Sequence, residues 1–259
     1  MRQQKGTTNG TRRLGIGLAF WIALSATGAG HAAPAPRPAV DCIRPLVGTR
    51  GEGNTYPGAV APFGMIQLSP DTDDHLWETA SGYEYADSAI IAFSLTHLSG
   101  TGIPDLGDIR FMPTLGTPRF VAGTKAHPDS GYAARYDHAT ETAEAGYYAV
   151  RLARSGVRVE LSAGERAGLF RLTYPAADSA GLLVDLARVL RWDVAWSNLR
   201  VVDDSTLTGF HLVNGWAKER YTYFAARFAR PLDDYTIMKD GQPVLYNGYR
   251  FRSRAAATG

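Results

Sequence analysis

The segment VRVELSAG, residues 157–164, decides the fold class of this chain. Val157, Val159 and Leu161 alternate with the charged Arg158 and Glu160. A period of two residues is typical of a β-strand that buries one face, because successive side chains of a strand point to opposite sides of its sheet. The alternation therefore predicts a strand whose sheet is packed on one side.

Strand-like segments recur at short spacing around it. They are GYYAVRLA (146–153), AGLFRLTYP (167–175), GLLVDLARVL (181–190), STLTGFHLV (205–213) and YTYFAARFA (221–229). Asp240-Gly241 lies between two further apolar segments and predicts a β-hairpin. GLLVDLARVLRW is ambiguous between strand and helix. Many short strands joined by turns predict an all-β fold, an antiparallel β-sandwich.

The first 39 residues have the composition of an export signal and a linker. Four basic residues precede the apolar segment LGIGLAFWIALSATGAG (14–30), and GHA precedes Ala33. This order is typical of a signal peptide, which we place at residues 1–32, with a Pro/Ala linker at 33–39. We expect a secreted or periplasmic protein that leaves the membrane after cleavage. The sequence leaves open the general and the twin-arginine export routes.

Charge and cysteine content exclude several classes of function. Signal cleavage would remove four basic residues and no acidic one, which changes the net charge from +2 to about −2. No basic stripe with interleaved aromatic residues occurs, so we expect no nucleic-acid partner. Cys42 is the single cysteine, which excludes an internal disulfide and a thiolate metal cluster.

Four residues are candidates for binding a ligand. Trp77 lies among acidic residues and could stack on the apolar face of a sugar or pack at the rim of the sandwich. Asn54 lies in a glycine-rich segment that suits either a ligand or a structural crossover. His97 follows an apolar segment, where a core histidine is the usual alternative to a ligand-binding one. Glu84 completes the set, for a reason that depends on the resemblance described next.

Three long motifs resemble the N-terminal domain of glycoside hydrolase family 92. They are VGTRGEGNTYPGAVAPFGMIQLSPDT (47–72), SGYEYADSAIIAFSLTHLSGTG (81–102) and DLGDIRFMPT (105–114), and the resemblance extends over about residues 40–235. It implies a calcium-dependent, inverting, exo-acting α-mannosidase with a mannose-containing glycan as substrate. It also implies a mutarotase-like supersandwich followed by an (α/α)₆ helical domain.

The chain departs from the family pattern at three positions near the expected sugar pocket. Glu52 and Leu95 replace histidines of the family motifs, and Glu84 stands where a histidine or an aspartate is common. These changes leave the turn glycines in place but alter polar groups. The resemblance therefore makes Glu84 a candidate contact and indicates a changed specificity.

The resemblance also predicts what this chain lacks. An inverting glycosidase needs a general acid and a general base about 6.5–9.5 Å apart. The resemblance places both, and most of the calcium site, in the helical domain, so we name no catalytic residue and leave the metal ligands unknown. Asp105 and Asp108 are a carboxylate pair, yet two carboxylates supply too few oxygens for Ca²⁺. We expect residues 40–259 to stop before the last strand of the sandwich and before the helical domain.

Two functions from different classes follow. The chain is either the sugar-contacting N-terminal domain of an exported α-mannosidase, inactive alone, or a stand-alone carbohydrate-binding module. A third interpretation is a sandwich that only braces a catalytic partner.

Overall fold

The computed structural model describes residues 37–73 and 77–244, without the side chain of Glu78. The expected signal peptide, most of the linker and the last fifteen residues lie outside this part. The described residues form strands and short 3₁₀ helices, with no α-helix and no helix long and apolar enough to span a bilayer. The 3₁₀ helices are Ala39–Cys42, Gly51–Gly53, Trp77–Thr79, Pro128–Ser130 and His138–Thr140.

Sixteen strands are described. They are β1 (Ala59–Val60), β2 (Gln67–Asp71), β3 (Ala89–Ile90), β4 (Ala92–Ser94), β5 (Arg110–Leu115), β6 (Ala134–Arg135), β7 (Thr142–Glu144), β8 (Tyr147–Arg151), β9 (Arg158–Ala163), β10 (Gly168–Thr173), β11 (Ala180–Asp185), β12 (Asp193–Asp203), β13 (Thr206–Asn214), β14 (Arg220–Arg227), β15 (Ile237–Lys239) and β16 (Gln242–Val244).

All strand pairs are antiparallel. One sheet has five strands in the order β1-β2-β4-β5-β11, and a second has four in the order β10-β9-β8-β7. A third sheet has the order β12-β13-β14, and β3-β6 and β15-β16 are two-stranded. The prediction of an antiparallel all-β sandwich is confirmed.

The four-stranded and five-stranded sheets share one core. Val157, Val159 and Leu161 are fully buried, as the alternation in β9 predicts, and they cluster with Leu68 and Phe93 of the opposite sheet. Because each strand offers its apolar side chains to one face only, the two sheets bury those faces against each other.

Two local predictions have clear outcomes. The first part of the ambiguous segment 181–192 is strand, because Ala180–Asp185 forms β11 and pairs with β5, from Ala180 opposite Leu115 to Asp185 opposite Arg110. The hairpin at Asp240-Gly241 is also confirmed. Both turn residues have positive φ, 50° and 75°, which matches the twist of the flanking strands β15 and β16.

The three-stranded sheet joins the sandwich next to β5. The ring of Phe224 in β14 meets Phe111 edge to face at 6.4 Å, and His211 in β13 is fully buried. The segment between β4 and β5 therefore lies beside both the five-stranded and the three-stranded sheet. This segment includes His97, Asp105 and Asp108.

Candidate functional site

Asn54 connects three loops at one edge of the sandwich. It ends the Gly51–Gly53 helix in the left-handed region, with φ of 50°. Its side-chain oxygen accepts a hydrogen bond from the Ala80 amide at 2.9 Å, and its carbonyl accepts one from Gly100 at 2.7 Å. The side chain is buried. The fold thus brings the segments around positions 54, 80 and 100 together at Asn54.

Glu84 links two loops near Asn54 through its carboxylate. One carboxylate oxygen accepts from the Gly51 amide at 2.9 Å, and the other accepts from the Ala86 amide at 3.0 Å. Both acceptors therefore serve backbone groups of two neighbouring loops, while the side chain stays partly exposed. Glu84 has a structural role here, because it holds the loops at positions 51 and 86 together.

Trp77 lies exposed near this junction. Its helix, Trp77–Thr79, leads directly into Ala80, whose amide binds Asn54. The side chain is 46% exposed, and the Arg191 guanidinium lies 4.5 Å from the centre of the indole ring. Arg191 itself has a positive φ of 61°, in the turn between β11 and β12. A distant loop thus supplies a cation to an aromatic ring that remains open to solvent.

His97 lies in the interior. It is 3% exposed, and its Nδ1 is 2.8 Å from the Gln67 carbonyl. Its Nε2 lies 3.0 Å from Asp71 and 3.1 Å from the Ser94 hydroxyl. The ring is 5.1 Å from that of Tyr56, two residues after Asn54. His97 therefore packs against the Asn54 loop through Tyr56. A direct contact of His97 with a sugar stays a prediction.

The carboxylate pair forms a buried ion cluster. Arg220 in β14 donates to Asp105 at 3.1 Å and also to Asp108. His211 Nε2 lies 2.7 Å from Asp108, and the Thr96 hydroxyl donates to it at 2.7 Å. Burial opposes ionisation of Asp108, but hydrogen bonds from His211 and Arg220 outweigh it and hold the pKa of this carboxyl well below its usual range.

This cluster does not fit a calcium site. The guanidinium already compensates both carboxylates, whereas Ca²⁺ requires six to eight free oxygen ligands. No group of three or more histidine, cysteine, aspartate or glutamate side chains is arranged to hold a metal within residues 37–73 and 77–244. The sequence indicated Asp105 and Asp108 but not Arg220 and His211, because nothing local links residues more than a hundred positions apart.

A model of a known protein family matches most of this chain. The model described as the glycosyl hydrolase family 92 N-terminal domain matches residues 42–258. The chain belongs to glycoside hydrolase family 92. The matched part contains both sheets of the sandwich, the loop junction around Asn54 and the Arg220 cluster.

Solved structures of family 92 members have the same fold. An α-mannosidase of Bacteroides thetaiotaomicron, solved in complex with mannoimidazole, is 50% identical, with a TM-score of 0.78, over 83% of this chain and 28% of that one. An inverting mannosidase of the same organism is 27% identical, with a TM-score of 0.61, over 74% of this chain and 25% of that one.

A curated relative belongs to a fungus. It is an uncharacterized secreted glycosidase of Arthroderma benhamiae, 31% identical over 151 residues, which are 56% of this chain and 19% of the relative. The chain thus spans 19% to 28% of the length of these relatives.

Proposed function

We propose that this chain is the carbohydrate-contacting N-terminal domain of an exported α-mannosidase-like glycoside hydrolase that acts on terminal α-mannosides of glycans. The observation that carries the proposal is the 50% identity to an α-mannosidase solved with mannoimidazole. The name of the fungal relative, a secreted glycosidase, supports export.

The proposed sugar contact is centred on Trp77. A half-exposed indole ring can stack on the apolar C–H face of a pyranose, and the nearby loops offer polar groups for its hydroxyls. Asn54 and Glu84 hold those loops, and His97 supports them from beneath. All four residues predicted from the sequence therefore belong to the proposed site, with Trp77 making the direct contact.

We assign the hydrolytic step to a partner domain. The proposed reaction needs a general acid and a general base on opposite sides of the glycosidic bond. Asp105 and Asp108, the pair that the sequence offers, are committed to Arg220. The family resemblance implies that an (α/α)₆ domain supplies both groups and most of the ligands for Ca²⁺, so this chain alone would bind but not hydrolyse.

A binding titration tests the proposed sugar contact. Residues 33–259 are titrated with methyl α-D-mannopyranoside, and binding at this site is followed through the NMR shift of the neighbouring Ala80 amide, with Trp77→Ala compared with Trp196→Ala. Trp196 is 56% exposed and lies in β12, so it is a control of the same residue type and similar exposure. We expect Trp77→Ala to weaken binding at this site about tenfold, since losing contact with about 60 Å² of apolar surface costs about 1.5 kcal/mol, and Trp196→Ala to leave it unchanged.

Equal affinities for wild type and Trp77→Ala would contradict the proposed contact. The stand-alone binding module would instead be favoured if the chain bound the sugar saturably and released no mannose when combined with any (α/α)₆ domain.

A further inference from the structure

An open cleft lies on the surface next to the loops that Glu84 ties together. Its volume is about 500 Å³, and its lining includes Arg50, Tyr85, Asp87, Asp137 and His138. None of the four predicted sugar contacts lines it. Two of its walls, at Arg50 and at Tyr85, directly neighbour Gly51 and Ala86, whose amides bind Glu84.

A buried carboxylate lies beneath His138 at one side of the cleft. The Glu141 side chain is 1% exposed, and the hydroxyls of Tyr83 and Tyr148 donate to its Oε1 at 2.8 and 2.6 Å. His138 Nδ1 lies 2.7 Å from Oε2. A carboxylate accepts only, so Nδ1 carries a proton. His138 Nε2 has no hydrogen-bond partner among the described residues, and the side chain is 31% exposed.

Two tyrosines fix the orientation of this imidazole. The ring of Tyr85 stacks on it at 4.0 Å with an interplanar angle of 20°, and Tyr136 meets it edge-on at 5.0 Å. The buried carboxylate and the aromatic contacts together leave His138 little rotamer freedom. A polar group held in this way is preorganised for a ligand, which lowers the entropy lost on binding.

The charges around the cleft select the class of ligand. Arg50 is exposed and forms no ion pair within the described part of the chain, while Asp87 is paired with Lys125 at 2.6 Å. Asp137 carries a charge opposite to that of Arg50, and it accepts a hydrogen bond from the Ala139 amide. An anion would meet the two aspartates, and a cation would meet Arg50. Sugar hydroxyls both donate and accept, so they suit this mixture of donors and acceptors.

We propose that this cleft is a second carbohydrate-binding site, which takes a neutral sugar residue. Its hydroxyls would bind His138 Nε2 and the Arg50 guanidinium, and its apolar edge would lie against the Tyr85 ring. The inference rests on the proposed function for the choice of a glycan as ligand. It adds a contact for a sugar unit beyond the one at Trp77.

NMR titration of residues 33–259 with methyl α-D-mannopyranoside tests the site. The carbon-bound ring protons of His138, assigned with His138→Gln, report on the cleft, and the Trp77 indole N–H reports on the first site. We expect saturable shifts at His138 that persist in Trp77→Ala. Arg50→Ala should weaken the affinity that these shifts report about fivefold, because one hydrogen bond is lost. Arg166→Ala, a matched exposed arginine elsewhere, should not.

The readouts separate failure of the cleft from failure of the proposed function. Shifts at Trp77 without shifts at His138 would overturn the cleft alone. Shifts at His138 without shifts at Trp77 would overturn the proposed contact but support the cleft, and silence at both would overturn both. Binding of mannose 6-phosphate more than about tenfold tighter than that of the neutral mannoside would overturn the assignment to neutral sugars.

Discussion

Asp108 shows how a single residue acquires its role from the fold. Its carboxylate is 1% exposed and meets His211, Thr96 and Arg220. Its folded pKa is lowered, so its contribution to stability is present above the unfolded value of about 3.9 and is lost as the pH falls through the folded value. A buried, fully partnered carboxylate of this kind stabilises the fold at neutral pH.

Replacing Asp108 by asparagine should destabilise the domain. We expect Asp108→Asn to lower the free energy of unfolding by about 3 kcal/mol or more at pH 7, because Arg220 loses a buried partner. The difference from wild type should narrow below about pH 4, where wild type loses the same contribution. Urea unfolding between pH 3 and 8 measures both effects.

Asp178→Asn is the control for this substitution. Asp178 is exposed, so its replacement should change the free energy of unfolding by less than about 0.5 kcal/mol. If Asp108→Asn lowered the free energy of unfolding at pH 7 as little as Asp178→Asn does, the role assigned to the Arg220 cluster would be contradicted.

At the scale of an element, the glycine-rich segment between β4 and β5 needs some of its glycines and not others. Gly107 has φ of 72°, and a Cβ there would lie 2.6 Å from Leu190 Cγ. Gly102 has no positive φ, and a Cβ there would meet nothing within 4 Å. Close packing on Leu190, rather than approach of a ligand, therefore explains Gly107.

The two glycines form a matched pair for mutagenesis. Gly107→Ala should cost about 2 kcal/mol or more, since it adds left-handed strain and a clash with a buried leucine. Gly102→Ala should stay within about 0.5 kcal/mol of wild type. Thermal unfolding of the two variants measures the difference, and equal melting temperatures would show that Leu190 does not pack on this loop.

At the scale of the whole molecule, binding and catalysis are proposed to belong to different domains. The chain covers 28% of the length of the mannosidase that it resembles at 50% identity. Its sandwich provides the exposed Trp77, whereas the Asp105 and Asp108 carboxylates serve the interior. A domain of this kind would contribute one wall of a site that a second domain completes.

The isolated chain should therefore be inactive. We expect residues 33–259 to show no release of mannose from α-mannosides, with or without Ca²⁺, because general acid–base catalysis is worth about 10²–10⁴-fold and the pair is assigned elsewhere. A reducing-sugar assay measures the rate. Calcium-dependent release of mannose that Asp108→Asn abolishes would show that the catalytic carboxylates lie in this chain.

The sequence by itself determined strand β9 and the turn at Asp240-Gly241. The alternation of Val157, Val159 and Leu161 predicts β9 correctly, because the direction of a side chain in a strand depends only on its position along that strand. The Asp240-Gly241 turn was equally predictable, since its positive φ values are a local preference of those residue types. The motifs of residues 47–114 also indicated the family that the comparison shows.

Only the tertiary structure decided which polar side chains meet. Arg220 reaches Asp108 across 112 positions of the chain, and Tyr83 reaches Glu141 across 58. Such contacts depend on the order of strands in the sheets, which no local period encodes. The sequence left His97 open as a core histidine or a ligand contact, and only the fold shows that Asp71, Ser94 and Gln67 surround its ring. A buried polar group must find partners wherever the topology brings them, because leaving it unpaired costs more than the contact gains.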